Sequence, residues 1–115
     1  MVEKNEITVE TKGTATVFDI KGDVTSASEP FFADAYKNLT TDKVSNILLK
    51  FDEEAYINSG GIAVLIQLLA ETNRKNQKVF IAGISEHFKK IFHMVGITRF
   101  AEIYSSMEDA LTAMR

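Results

Sequence analysis

The segment Asn58-Ser59-Gly60-Gly61 is where this 115-residue chain best presents a hydroxyl for chemistry. It follows a strand-like run, Ile47–Phe51, and an acidic loop, Asp52-Glu53-Glu54, and it opens a long apolar helical pattern. The Ser59 hydroxyl is therefore expected at the positive end of a helix. A serine nucleophile needs a base and an orienting acid. The two histidines, His87 and His93, stand six residues apart on one predicted helix, about 240° from each other beyond a full turn, so they share no face. Neither has a second ligand at the spacing of a helical zinc site, and the chain has no Gly-x-Ser-x-Gly elbow and no phosphate-cradling Gly-x-x-x-x-Gly-Lys-Ser/Thr. The acidic run reads as a solvated turn. No catalytic residue, metal or cofactor is expected. A hydroxyl that is itself a substrate asks for less, because a kinase brings its own base, metal and nucleotide. Gly60 and Gly61 would clear side-chain bulk for such a cleft. A phosphate there would suit the helix N-terminus and add about −1.5 to −2 charges. Either Asn58 or Ser59 equally suits the plain role of N-cap, and residue types alone leave the two roles even.

The elements that position this segment belong to an ordinary globular composition: 45% hydrophobic, 25% charged, one proline and no cysteine. A single domain over residues 1–115 is expected, long enough for one core. The absence of cysteine suits a cytoplasmic location. The longest apolar run, Ile62–Ile66, is far too short for a membrane span, and the first residues lack the apolar core of a secretory signal. With a net charge of −3 and no basic cluster beyond Arg74-Lys75 and Lys89-Lys90, a nucleic-acid partner is not expected.

Taken in order, Glu6–Thr11 alternates as a half-buried strand on Ile7 and Val9, Lys12-Gly13 turns, and Thr14–Ile20 alternates again, completing a hairpin. In the second strand Phe18 and Ile20 share one face, Ala15 and Val17 the other. Ser26–Thr40 changes period, with Phe32, Ala35, Tyr36 and Leu39 as one helical stripe. Its start is either a Ser26/Glu29 capping box or a cap at Ser28 or Glu29 with Pro30 in the first turn. Ile47–Phe51 and Lys78–Ala82 read as strands covered on both faces. The helix after Ser59 carries Ile62, Leu65, Ile66 and Leu69 at core spacing, widened by Leu68. Val64 is placed nearer the polar edge of Gln67, Glu71 and Arg74. So wide an arc is either deep core or a flank that meets a partner. Gly83 turns the chain, and Ser85 caps a helix with Phe88, Ile91, Phe92 and Val95 on one face, closed by Gly96. Glu102–Tyr104 is a short edge strand, and Ser106 with Asp109 opens a last helix striped by Met107, Ala110, Leu111 and Met114. The order ββαβαβαβα predicts an α/β fold, a mixed sheet that is parallel in its second half with right-handed crossovers. In such sheets functional loops gather at the strand C-terminal ends, which places Asn58-Ser59 there, with the loop from Lys21 to Ser26 nearby.

Four stretches also resemble one family. Tyr56-Ile57-Asn58-Ser59-Gly60-Gly61-Ile62 resembles the Asp-Ser-Ser/Thr-Gly-Leu motif of the STAS-domain anti-sigma factor antagonists. Gly22-Asp23-Val24-Thr25 is similar to the family's Gly-Glu-x-Asp, Ser85–Gly96 to its Ser-x6-Phe-x3-Gly helix, and Ile97, Phe100, Ile103 and Tyr104 fit the trailing segment. Together these span nearly the whole chain and imply a STAS-like fold. The sequence departs from the pattern at Asn58 and Thr25, where the family has Asp, at Asp23, where it has Glu, and at Gly60, where it has Ser or Thr.

The resemblance implies a cytoplasmic bacterial switch protein that binds an anti-sigma factor. That partner is also a GHKL-type serine kinase. It would phosphorylate Ser59 and so break the complex, and a metal-dependent serine phosphatase would restore it. The partner surface it implies comprises Asp23, Thr25, Asn58, Ser59, Gly60, Gly61 and Val64. Two other readings stand beside it: a non-phosphorylated adaptor or scaffold module, of a stress-signalling complex or transporter-associated, binding by shape and motivated by Asn58 and Thr25, and a small serine hydrolase or nucleotide-using protein built on Ser59.

Overall fold

The computed structural model describes residues 5–39 and 44–114. Five strands form one sheet in the order β1-β2-β3-β4-β5: β1 Glu6–Lys12, β2 Ala15–Lys21, β3 Asn46–Phe51, β4 Lys78–Ala82 and β5 Ala101–Tyr104. The β1–β2 hairpin is antiparallel, turning through Gly13 at φ 60°, and the three remaining pairings are parallel. The helices are α1 Glu29–Lys37, α2 Ser59–Arg74, α3 Glu86–Met94 and α4 Met107–Ala113. This is the expected order of elements and the expected mixed sheet; Thr40, the predicted end of the first helix, lies outside the described residues.

The strands advance one way across the sheet, so connections of a single hand must all lie on one face. They do: α1, α2 and α3 share a core with Phe18, Ile20, Ile47, Leu49, Phe51, Val79 and Ile81. The opposite face, with Val17, Leu48, Phe80 and Ala82, is covered by α4 through Ala110, Met107, Leu111 and Met114. Alternate residues of β3 and β4 thus serve two cores, which is why both read as apolar runs, and β2, whose pattern reads as alternating, is covered on both faces as well. β1 is less buried than its pattern predicted. It is an edge strand, Ile7 is half-buried and Val9 remains 39% exposed.

Local signals set the helix ends. Ser85 and Ser106 accept hydrogen bonds from the amides of Phe88 and Asp109, as their spacing predicts. Gly96 takes the left-handed conformation at φ 86° just past α3. Val95 precedes that turn and is 45% exposed, so the buried stripe of α3 rests on Phe88 and Phe92, with Ile91 half-buried. α1 takes the second predicted start, with Ser28 at the N-cap position and Pro30 in the first turn, where the missing N–H costs little, but the Ser28 side chain makes no cap hydrogen bond to it. Thr25 closes a capping box with Ser28 around a 3-10 turn, Ser26–Ser28, and α1 continues from it.

One buried polar link ties α1 to the sheet. The Tyr36 hydroxyl donates to Gln77 Oε1, and Gln77 Nε2 donates to the Val44 carbonyl at 3.1 Å. Burial first, and Glu71 second, hold the Tyr36 phenol above its ordinary value of 10.0, against a smaller opposing pull from Arg74. The neutral phenol is therefore the form that folding favours, and its contribution is complete below pH 10.0 and lost as pH rises through the higher folded value. Denaturant melts between pH 9 and 11 should show a steeper alkaline loss of stability in the wild type than in Tyr36→Phe; parallel curves would contradict it.

Candidate functional site

The segment around Ser59 is assembled from two loops that leave the C-terminal ends of neighbouring parallel strands. The β2 exit, Gly22–Thr25, and the β3 exit, Asp52–Asn58, zip together by a short parallel bridge between Val24 and Ile57. The Val24 amide donates to the Tyr56 carbonyl at 2.9 Å, and the Asn58 amide to the Val24 carbonyl at 3.1 Å. Asp23 adds a third tie, its Oδ1 accepting from the Tyr56 amide at 2.9 Å. Val24 and Ile57 are both buried, so two apolar residues inside polar loops act as pins.

α2 starts on this platform. Asn58, in extended conformation, accepts from the Gly61 amide at 2.9 Å through Oδ1, and its carbonyl accepts from Ile62 at 2.9 Å. Asn58 is therefore the N-cap and Ser59 the first helical residue. This separates the two roles that residue types left even. Ser59 is exposed, and among the described residues no hydrogen bond engages its hydroxyl. A group added there would face the positive end of a 16-residue helix.

The glycines do not clear space for an outside cleft; they let two backbones touch. A Cβ on Gly61 would fall 2.1 Å from the Val24 carbonyl oxygen, and one on Gly60 3.0 Å from both the Cβ and the amide nitrogen of Ser26. Gly61 is buried and Gly60 half-buried beneath the 3-10 turn.

The structure brings together six of the seven residues expected at the partner surface. Asp23, Thr25, Asn58, Ser59, Gly60 and Gly61 all lie where the two loops meet, although Asp23, Thr25 and Asn58 each have a side-chain oxygen occupied within the site. Val64 does not belong with them. It is 7% exposed, in the buried stripe Gly61, Val64, Leu65, Leu68, Leu69 and Thr72, at the seam where α1 lies against α2 with Phe32 and Tyr36. The predicted stripe is rotated accordingly: Ile62 is half-buried and Ile66 is 43% exposed. Tyr56, to which the motif assigns no role, belongs to the exposed part of the site. It is 59% exposed, its ring set edge-on against Phe88 at 5.8 Å between centroids. The signal for it was an aromatic residue in a polar loop three positions before the serine.

Both histidines are exposed on α3, and among the described residues neither bonds to Ser59. Among those residues, no three His, Asp or Glu side chains gather to hold a metal, and no helix is long and apolar enough to cross a membrane.

Because Asn58 carries the cap alone, Asn58→Ala should cost about 1 kcal/mol of stability. Asn58→Asp should keep the cap and add about 0.3–1 kcal/mol from a charge at the helix N-terminus. Urea melts of the three proteins decide this. Equal midpoints for wild type and Asn58→Ala would remove Asn58 from the role.

A mixed sheet with three helices on one face, one on the other and a serine opening the second helix defines a small α/β domain. The model of the STAS domain family matches residues 6–110, and the chain belongs to that family. Among solved structures, an anti-sigma factor antagonist from Mycobacterium paratuberculosis is similar to it with a TM-score of 0.77 and 16% identity, over 95% of this chain and 92% of that one. The anti-sigma factor antagonist SpoIIAA in its unphosphorylated form gives a TM-score of 0.69 and 12% identity, over 95% and 96% of the two chains. The Bacillus cell fate determinant SpoIIAA in its phosphorylated form gives 0.67 and 15%, over 96% and 100%. At these identities the likeness is one of fold. No curated protein sequence matches the chain.

Proposed function

We propose that this STAS domain is an anti-sigma factor antagonist that binds an anti-sigma factor with serine-kinase activity and is switched off by phosphorylation of Ser59. The observation that carries this reading is the division of labour at the helix start. Asn58 makes the cap, which leaves the Ser59 hydroxyl exposed and free to react. That one fold-neighbour, SpoIIAA, is described in both phosphorylated and unphosphorylated forms agrees with it.

In the reaction, Ser59 Oγ attacks the γ-phosphorus of ATP. A new O–P bond forms, the bond to ADP breaks, and the hydroxyl proton passes to the kinase's base. The kinase supplies base, magnesium and nucleotide, so this chain contributes a substrate and performs no catalysis. The dianionic product would lie beside the remaining nucleotide phosphates and be desolvated in the interface, and both effects favour release. A metal-dependent serine phosphatase would restore the binding form. The setting is cytoplasmic, where such kinases meet ATP.

Asn58 in place of an acid does not weigh against the switch, since its Oδ1 makes the cap an aspartate would make. With a cognate GHKL-type kinase and ATP, the wild type should take up one phosphate and Ser59→Ala none, by intact mass. Ser59→Asp should lose kinase binding while Ser59→Ala keeps it. Full binding by both variants, without phosphate uptake, would favour an adaptor that binds by shape. That alternative draws support from Thr25, which stands where the family pattern has Asp and whose hydroxyl is committed to a cap.

A further inference from the structure

We infer that the outer edge of β1 is an interface between two copies of this chain, paired antiparallel about a two-fold axis at Val9 so that their sheets become continuous. β1 is the longer of the two sheet edges, seven residues against four in β5. Among the described residues no strand lies beyond it. Natural edges are guarded against pairing by shortness, by proline, by a bulge or by a charge pointing inward. β1 has none of these. It contains no proline, and its ladder to β2 runs unbroken from Glu6–Lys21 to Lys12–Ala15. Its helix-side face is Ile7, Val9 and Thr11, since Ile7 and Val9 stand opposite Ile20 and Phe18 of the α1–α3 core. The charges it carries, Glu6, Glu10 and Lys12, all lie on the α4 side.

Those charges select one register. A two-fold axis normal to the sheet reverses the strand but keeps every side chain on its own face, so even-numbered residues meet even and odd meet odd. Centred on Val9, the pairing sets Glu6 opposite Lys12 at both ends, Thr8 opposite Glu10, Ile7 opposite Thr11 and Val9 opposite Val9 of the second copy. All seven residues are paired and no like charges meet. Centred on Thr8, Glu6 would face Glu10; centred on Glu10, that acid would face itself. Opposite charges directly across a strand pair stabilise it and like charges oppose it.

The apolar side agrees. A recess between β1 and α1 is lined by Ile7, Val9, Phe31, Ala35 and Leu39. The axis at Val9 brings the recesses of the two copies together, which buries the side chain that β1 leaves exposed. The same axis reverses the direction of the parallel strands, so the strand ends that carry Ser59 face opposite ways in the two copies. Asn5, just ahead of β1, donates to the carbonyls of Lys21 and Asp23 at 3.1 and 3.0 Å, which ties this edge to the loop at the Ser59 site. One dimer thus presents two serines, neither covered by the other copy. A strand pair and one small recess lie at the low end of interface size, so the dimer should be reversible, with a dissociation constant on the order of micromolar.

Sedimentation equilibrium of the full chain over a range of concentrations tests this. The wild type should pass from monomer to dimer. Val9→Lys, which places two cations together at the axis, should stay monomeric with an unchanged thermal melt, because the side chain is already partly exposed. Glu6→Lys and Lys12→Glu should each weaken the dimer about tenfold, since each sets like charges opposite at two places, and the double variant should recover it to within about threefold. Amide exchange along β1 should slow as concentration rises. A wild type that is monomeric throughout overturns the inference, as do species larger than a dimer, built by β1 of one copy on β5 of the next. A dimer that survives Val9→Lys, or one that the double variant does not recover, overturns it equally. None of these measurements involves phosphate uptake, so this inference and the kinase reading stand or fall separately.

Discussion

Gly61→Ala should remove about 3 kcal/mol of stability and disrupt the Ser59 site together with it. Within a helix, replacing glycine by alanine ordinarily gains about 1 kcal/mol. Here the added Cβ would lie 2.1 Å from the Val24 carbonyl oxygen and 2.6 Å from its carbon. An aliphatic carbon stays about 3.3–3.6 Å from a carbonyl oxygen even in a C–H···O hydrogen bond. The overlap is backbone on one side and helix on the other, so no flexible side chain can yield. α2 would have to lift off the β2 exit, and that movement breaks the Asn58–Val24 hydrogen bond that aligns the loop before Ser59. Chemical denaturation gives the stability, and proton exchange at the Val24 and Asn58 amides reports the loosening. Gly60→Ala is the companion measurement. Its Cβ would approach Ser26 at 3.0 Å, a contact that a small shift of the 3-10 turn relieves, so its cost should be clearly smaller. A Gly61→Ala protein as stable as the wild type would mean that the two loops are not in contact.

Phe92→Ala should cost about 3–5 kcal/mol. Phe92 is fully buried on α3 and meets Phe51 of β3 edge-on at 6.4 Å between ring centroids. The site feels this because α3 also carries Phe88, against which the Tyr56 ring rests. A domain of this size has about 5–15 kcal/mol in total, so the loss takes a large share of it. The expected result is a much lower melting temperature, with Tyr56 mobile in the remaining folded population. Phe92→Leu should recover most of the stability, since it refills most of the volume. A cost below 1 kcal/mol for Phe92→Ala would place α3 outside the cooperative core.

Exposed contacts matter less. Arg74 hydrogen-bonds Glu71 and holds its carboxylate below the ordinary 4.5. That contribution is present at neutral pH and disappears as pH falls below 4.5, but Glu71 and Arg74 are solvent-screened, so acid sensitivity should change little in Glu71→Gln.

Much of the molecule was legible in the chain because much of it is governed locally. The hairpin at Gly13, the caps at Ser85 and Ser106, the left-handed stop at Gly96 and the doubly covered strands follow from near neighbours and from periods of two and 3.6. So does the placement of Ser59 at the opening of a helix, because a strand, a loop and an apolar helical period in that order leave the serine nowhere else.

Tertiary structure decided what periodicity cannot. The apolar arc of α2 is wide enough to face the core in more than one rotation, and Ile62, Val64, Leu65, Ile66, Leu68 and Leu69 cannot all be inside. α1 lies against one flank, which buries Val64 and turns Ile66 outward. The meeting of the β2 and β3 exits was likewise invisible, because Val24 and Ile57 are 33 residues apart and their pairing follows from adjacent parallel strands. That pairing gave Asp23 a hydrogen bond to the Tyr56 amide and made Gly61 a contact point. The sequence by itself thus determined that a serine would open a helix at the end of a parallel strand. Only the packing of distant segments decided which side of that helix is open, because burial depends on what lies alongside and no local period records it.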